Sequence, residues 1–158
     1  MAGLYFEELR EGLVIEHAIR RTVTEMDNTL FSALTHNPAA IHLDAEYCKG
    51  TIYGQRLFNS LFLLGLVVGI SVIDTTLGTT IANLGFDEVR FPKPVFLGDT
   101  IHVRTEVVAA RSSKSRTDSG IITFRHFALN QRDEVVCVAD RNALMLLRPK
   151  EPARETAA

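Results

Sequence analysis

The sequence predicts an α+β domain in which a curved antiparallel sheet surrounds one buried helix. Two patterns carry this prediction. A continuous hydrophobic run at 61–73 has the length of a helix, and four strand-like segments follow it up to residue 147. Because strands that are joined by short turns pair antiparallel, the second half of the chain is predicted to form a meander that covers the helix.

A short strand and a capped helix are expected first. Residues 13–20 combine β-branched residues with partial alternation, which is typical of a strand. Thr24 is a candidate N-cap for a helix whose apolar residues share one face: Met26, Leu30, Phe31 and Leu34. The pair Asn37-Pro38 ends that helix, since the residue before proline avoids helical geometry. A polar loop follows, and then a short helix at 44–49.

The hydrophobic run LFLLGLVVGISVI at 61–73 is expected to be the buried helix, beginning near Asn59. It is shorter than the roughly 20 residues that a membrane-spanning helix needs, so no membrane association is predicted. The run is hydrophobic on nearly every face, which indicates that other elements wrap around it. Gly65 and Gly69 are expected to let this helix approach the sheet closely.

The predicted strands of the second half are separated by turn signals rich in proline, glycine, aspartate and asparagine. The turns are expected at 92–94, 98–99, 117–120 and 130–133. The strands between them are then 79–91, 100–110, 120–129 and 134–147.

Composition limits the classes of function. The chain has 158 residues, of which 46% are hydrophobic, and its net charge is -2. We therefore expect one domain at 1–150 and a disordered tail at 151–158. Seventeen basic against nineteen acidic residues, with no basic run, argue against nucleic acid as a partner. Cys48 and Cys137 form no CxxC pair and the N-terminus resembles no secretion signal, which favours a reducing cytoplasm.

The loop from His36 to Asp44 is the best candidate for a catalytic site. It holds two histidines, an asparagine and an aspartate within nine residues, whereas P-loop, GxGxxG, HExxH and GxSxG motifs are absent. Histidine suits general acid–base catalysis because its ordinary pKa lies near 6.5. The alternative is a polar loop whose histidines satisfy backbone groups, and residue types alone leave both readings open.

The segment LTHNPAAIHLD at 34–44 resembles the hydratase motif of MaoC-like dehydratases, the (R)-specific enoyl-CoA hydratase group. Supporting segments follow in the order of that family: TVTEMD at 22–27, Gly54 with LFNS at 57–60, and VRFPKPVFLGDT at 89–100. SKSR at 113–116, GIIT at 120–123 and Asn130-Gln131 resemble a single-domain subgroup. The resemblance covers residues 5–148 and implies a hotdog fold, an antiparallel sheet wrapped around a long central helix.

By this resemblance, His42 corresponds to the catalytic histidine of the family. The aspartate that precedes it by five residues is replaced by Asn37, and an amide cannot take a proton from water at neutral pH. We therefore expect His42 to carry the proton transfers and Asn37 to orient either the water or the imidazole. Asp44 and Asp27 are nearby acids that could support them, although turn and helix-start roles are commoner for aspartate.

The resemblance also implies a substrate pocket at the start of the central helix, formed by Asn59, Ser60 and Gly54. Backbone N–H groups there would receive the negative charge that builds on a thioester oxygen. Asn59 and Ser60 are also good helix caps, and the two roles are compatible. Coenzyme A phosphates or a second carboxylate would need cations, and the candidates are Arg90, Lys93, Lys114 and Arg116, with Arg111 as a further one.

The resemblance implies a hydro-lyase that hydrates an enoyl group carried as a coenzyme A thioester, with no separate cofactor and no metal. The subgroup points to short branched or dicarboxylic acyl groups, such as mesaconyl-CoA or itaconyl-CoA. An acyl-CoA thioesterase and a non-catalytic acyl-CoA-binding subunit are the alternatives. Family members pair edge to edge, so a homodimer or a multimer of dimers is expected, since pairing covers an open strand.

Overall fold

A computed structural model describes residues 3–149 of the chain. The predicted tail at 151–158 lies outside the described residues. After a 3-10 turn at Phe6–Glu8, the elements in chain order are β1 (Val14–Thr22), α1 (Glu25–Leu34), α2 (Ala40–Leu43), α3 (Ala45–Lys49), α4 (Ser60–Thr75), β2 (Thr80–Arg90), β3 (Thr100–Ser112), β4 (Ser119–Leu129) and β5 (Val135–Leu146). The predicted α+β class is confirmed, and each predicted strand is present within two residues of its expected bounds.

The five strands form one antiparallel sheet in the order β1-β3-β4-β5-β2. The predicted meander therefore holds for β3, β4 and β5 but is wrong for β2, which pairs with β5 at the far edge of the sheet. The segment that joins β2 to β3, residues 91–99, contains Pro92 and Pro94. Proline removes backbone donors and fixes φ, so this segment forms a wide crossing connection instead of a hairpin turn.

Helix α4 packs on one face of the sheet, against β1, β3, β4 and β5. Its Leu63, Val67 and Ile70 are buried in the larger of two hydrophobic clusters. The smaller cluster surrounds Ile122 and Phe124 and is closed by the N-terminal segment. Burial of these side chains from water is the main favourable contribution to folding.

The sheet covers one side of α4, as expected, and the opposite face of the helix remains open in the single chain. Leu61 and Ile73 are 62% and 49% exposed. Gly65 and Gly69 lie between them at intervals of four residues, and a Cβ atom at either glycine would have no neighbour within 4 Å. These glycines therefore face outward and do not serve the close helix–sheet approach that was expected of them.

A polar layer crosses the inner face of the sheet between the two clusters. The Thr105 hydroxyl lies 2.7 Å from His17 Nε2 and 2.8 Å from His126 Nδ1. His17 Nδ1 lies 2.8 Å from a carboxylate oxygen of Asp74 near the end of α4. The next strand contributes the buried Arg141. Burial, with Arg141 and His17 close by, lowers the pKa of His126 to about 3, so this imidazole is neutral in the folded protein.

Cys48 and Cys137 are free and buried. Burial raises the pKa of the Cys137 thiol to about 12, which makes it a poor nucleophile. Among residues 3–149, none of the helices combines the length and the apolar character that crossing a membrane requires.

Candidate active site

His42 lies on α2, a single helical turn inside what the sequence predicts as a loop. Its ring Nδ1 lies 3.0 Å from the carbonyl oxygen of Leu57. Since a carbonyl only accepts, Nδ1 must carry the proton in this bond, and Nε2 of the neutral ring keeps its lone pair. A second bond, from the Leu57 N–H to the Ile41 carbonyl at 3.0 Å, ties the same two segments together.

His42 lines a cavity of about 270 Å³ together with Ser60 at the start of α4. The other walls come from the 53–63 region and from the turn after β2: Tyr53, Leu57, Phe58, Leu63, Phe91, Pro92, Lys93, Pro94 and Val95. Phe58 N–H donates to the Val95 carbonyl over 2.8 Å, which fixes the two walls relative to each other. The crossing connection 91–99 thus forms one side of the candidate site.

The start of α4 adjoins this cavity through Ser60. Asn59 is buried, and its Oδ1 accepts the N–H groups of Leu61 at 3.0 Å and Phe62 at 3.4 Å. This side chain therefore acts as a helix cap and uses its acceptor within the helix. Ser60 is the first helical residue, so its N–H has no acceptor within the helix.

Asn37 and His42 face different cavities in this structure. Asn37 Oδ1 accepts the Ala39 N–H over 3.0 Å, which stabilises the turn that leads into α2. Its side chain lines a shallow cavity of about 330 Å³ between α1 and this turn. The group that orients the imidazole is the Leu57 carbonyl. The part of the Asn37 hypothesis that assigns imidazole orientation to this amide therefore does not match the geometry.

The two supporting acids of the sequence prediction have structural partners. Asp27 accepts from the N–H and hydroxyl of Thr24, both at 2.9 Å, and pairs with Arg21. Asp44 Oδ1 accepts the Tyr47 N–H over 2.9 Å and caps α3. Neither carboxylate lines the His42 cavity, because each is held at the first turn of its own helix.

Gly54 also lies away from this cavity. It adopts a φ of 67°, a backbone conformation that favours glycine, and it lines a separate cavity with Arg56. The prediction of Gly54 as a pocket residue is therefore not supported by the geometry. Its part is to let the chain turn between α3 and the segment that reaches α4.

Of the four candidate anchors, Lys93 alone lines the His42 cavity. Its Nζ lies 2.7 Å from Glu134. Hydrogen bonds from Asn130, Lys93 and Arg132 lower the pKa of Glu134 to about 2, so this carboxylate stays charged beside the lysine. The remaining candidates are exposed: Arg90 pairs with Glu88, Arg116 pairs with Asp118, and Lys114 makes no ion pair within residues 3–149.

Sequence reasoning missed three contributors to the site: Asn28, the Leu57 carbonyl and Tyr53. Asn28 is 1% exposed. Its burial could not be predicted, because the other residues on its face of the helix are mostly polar. The Leu57 contribution comes from the backbone and has no residue signature. Tyr53 could have been suspected as an aromatic residue close to a turn, and it packs edge-on against Phe96 at 6.2 Å.

Comparison with known proteins agrees with this architecture. Residues 9–128 match the MaoC like domain. The chain is 33% identical to β-methylmalyl-CoA dehydratase of Chloroflexus aurantiacus over 98% of its own length and 44% of the relative. It is 35% identical to mesaconyl-CoA hydratase of Cereibacter sphaeroides over 85% of its own length and 39% of the relative. The chain therefore spans less than half the length of these two curated relatives.

Solved structures show the same fold. A MaoC-like dehydratase from Rhodospirillum rubrum superimposes with a TM-score of 0.83 at 30% identity, covering 94% of this chain and all of that one. A Mycobacterium tuberculosis protein with a double hotdog fold gives a TM-score of 0.82 at 25% identity, covering 96% of this chain and 47% of that one. The five-stranded sheet on the central helix α4 is thus a hotdog fold, and the chain belongs to the MaoC-like dehydratase domain family.

Proposed function

We propose that this protein catalyses the reversible hydration of an enoyl group carried as a coenzyme A thioester. One observation carries the proposal: His42, with Nδ1 held by the Leu57 carbonyl, lines the same cavity as Ser60, whose N–H has no acceptor within α4. A candidate base and a candidate donor for a developing oxyanion thus belong to residues that line one cavity. The family relatives are named hydratases and dehydratases of coenzyme A thioesters, which supports the same reaction type.

In the proposed mechanism, His42 Nε2 takes a proton from water as the oxygen bonds to the β-carbon of the enoyl group. The electron pair of the carbon–carbon double bond moves toward the thioester, and negative charge develops on its oxygen. The Ser60 N–H, at the positive end of α4, stabilises that charge. The imidazolium then returns its proton to the α-carbon. Dehydration is the same path reversed, and no cofactor or metal is needed.

In this proposal Asn37 has a structural role in the loop and takes no part in proton transfer. Its Oδ1 already accepts the Ala39 N–H, and its cavity is separate from that of His42. The amide stabilises the turn that presents α2, and hence it supports the position of His42. The proposed chemistry therefore uses one titratable side chain where the family commonly has two.

Short branched or dicarboxylic acyl groups are the proposed substrates, with mesaconyl-CoA and itaconyl-CoA as examples. The cavity of about 270 Å³ is smaller than the roughly 300–1,000 Å³ of sites for drug-sized ligands, which favours a short acyl group. Lys93 could exchange Glu134 for a carboxylate or phosphate of the substrate, since it lies at the wall of the cavity. The name mesaconyl-CoA hydratase of one relative supports a dicarboxylic group.

A homodimer, alone or as part of a multimer of dimers, is the proposed assembly. Leu61 and Ile73 on the open face of α4 are exposed apolar side chains, and so are Ile81 and Leu84 on the edge strand β2. An uncovered strand edge beside apolar surface favours pairing with a second copy. The double hotdog relative carries two such units in one chain. The two buried free thiols support a reducing compartment such as the cytoplasm.

A paired assay tests the proposed reaction. The protein is incubated with crotonyl-CoA and with mesaconyl-CoA while enoyl absorbance and free thiol are followed together. We expect enoyl absorbance to fall to an equilibrium value without thiol release, and to rise when the hydroxyacyl thioester is supplied instead. Thiol release with no hydration would show a thioesterase. Neither signal, with thermal stabilisation by the same thioesters, would show a binding subunit.

A further inference from the structure

Asn28 is a deeply buried polar side chain near the candidate site. It lies in the second turn of α1 and is 1% exposed. Three hydrogen bonds connect it to backbone outside α1. Its Nδ2 donates to the His42 carbonyl at 2.7 Å and to the Leu57 carbonyl at 3.1 Å, and its Oδ1 accepts the Asn59 N–H at 2.8 Å.

These bonds permit only one orientation of the amide. Both acceptors of Nδ2 are carbonyl oxygens, and the donor to Oδ1 is a backbone N–H. Exchanging the amide oxygen and nitrogen would place an oxygen against two carbonyls and an NH2 against an N–H. The network therefore fixes the orientation, and the two amide hydrogens and the oxygen of Asn28 are all used.

The three partners belong to the two segments that form the site. The His42 carbonyl is part of α2, which carries the base, whereas Leu57 and Asn59 belong to the segment that leads into α4. The Leu57 carbonyl also accepts from His42 Nδ1, so this oxygen accepts hydrogen bonds from both Asn28 and His42. Asn28 thus holds the carbonyl that selects the tautomer of His42.

We propose that Asn28 is a positioning residue, which keeps the His42 turn and the start of α4 in register so that Nε2 and the Ser60 N–H face the cavity together. Asn28 itself does not line that cavity. The expected effect of Asn28 on catalysis rests on the proposed function, whereas its expected effect on the tautomer of His42 does not. An apolar side chain in its place would remove the side-chain partner of the His42 carbonyl and of the Asn59 N–H, and would leave the Leu57 carbonyl with His42 Nδ1 alone.

The test uses Asn28→Asp, which keeps the shape but replaces the donating NH2 by an oxygen that faces two carbonyls. Asn28→Ser is a second variant, in case the aspartate prevents folding. Ile122→Val is the matched control, because Ile122 is fully buried in the cluster that does not adjoin the site. Thermal unfolding selects folded variants for comparison.

The first readout is the ¹⁵N NMR spectrum of the His42 imidazole, which distinguishes protonation at Nδ1 from protonation at Nε2. We expect the wild type and Ile122→Val to hold the Nδ1–H form, and a folded Asn28 variant to show a mixture. An unchanged Nδ1–H form in the folded Asn28 variants would overturn the proposal. This readout needs no substrate, so it stays decisive even if the protein hydrates none of the thioesters tried.

The second readout is the split between kcat and KM in the hydration assay. Because the change displaces the base and the oxyanion donor relative to each other, we expect kcat to fall by about 10²-fold while KM changes little. A fall in kcat no larger than that of Ile122→Val would contradict the catalytic part. If the ring tautomer shifts while the wild type itself shows no hydration, the proposed function fails and the positioning role stands.

Discussion

The carbonyl oxygen of Leu57 lies 3.0 Å from His42 Nδ1 and thereby decides which nitrogen of this imidazole is basic. The two residues are far apart in the chain, and a backbone group performs the task that enzymes often assign to a carboxylate. In the neutral ring this bond leaves the lone pair on Nε2, and it adds no negative charge to the site.

Replacement of Asn37 separates a structural role from a chemical one. Asp at this position can still accept the Ala39 N–H, so Asn37→Asp should keep the thermal stability and change kcat by less than about threefold. Asn37→Ala loses the bond and should lower the free energy of unfolding by about 0.5–1.5 kcal/mol. A change of kcat by more than about tenfold in Asn37→Asp would show that the side chain acts on the reacting atoms.

Removal of the Lys93 charge should affect substrate binding. Lys93→Met takes away the cation at the cavity wall, and we expect KM for a dicarboxylic acyl-CoA to rise about tenfold with little change in kcat. Lys114→Met is the matched control, because Lys114 is exposed and lies outside the cavity lining. Equal kinetic effects of the two substitutions would refute the anchoring role of Lys93.

A charge on the open face of α4 should separate the proposed dimer. Ile73→Asp places a carboxylate in the apolar surface where the partner would pack, whereas Ile52→Asp makes the same change at a residue that is 93% exposed elsewhere. Sedimentation analysis should show a dimer for the wild type and for Ile52→Asp, and a monomer for Ile73→Asp. A dimer that survives Ile73→Asp would exclude this face as the interface.

Stability should depend on pH through His126. Burial lowers the pKa of His126 from 6.5 to about 3, so between these values the unfolded chain binds a proton that the folded chain does not. The free energy of unfolding should therefore fall as pH drops from about 6.5 toward 3, by up to about 1.4 kcal/mol per pH unit from this group. When the free energy of unfolding is measured with urea at several pH values, it should fall less steeply with decreasing pH for His126→Gln than for the wild type. An equal pH dependence in the two proteins would contradict the assignment of this effect to His126.

Local patterns in the sequence were sufficient for most elements of the fold. Thr24 caps α1 and Asn59 caps α4, as their positions before periodic or apolar runs predict. Strand bounds also follow from turn residues, because glycine, proline and aspartate restrict the backbone locally. His42 could be selected only through its resemblance to a family motif, since residue types alone also permit a structural loop.

Features that depend on distant contacts could not be predicted in this way. The alternation of polar and apolar residues indicates which face of a strand is buried but not which strands lie beside it. The pairing of β2 with β5 therefore could not be predicted. The burial of Asn28 depends on distant contacts in the same way. A polar residue on a short helix gives no sign of whether it meets water or three backbone groups of other segments.

The most direct test of the central claim compares the wild type with His42→Ala in the enoyl-CoA hydration assay. Because His42 is the one base proposed for proton transfer, its removal should lower kcat by about 10²–10⁴-fold. His102→Gln is the control, because His102 lies on β3 and does not line the cavity. This variant should retain wild-type turnover. Hydration by His42→Ala within about threefold of the wild-type rate would contradict the proposed mechanism.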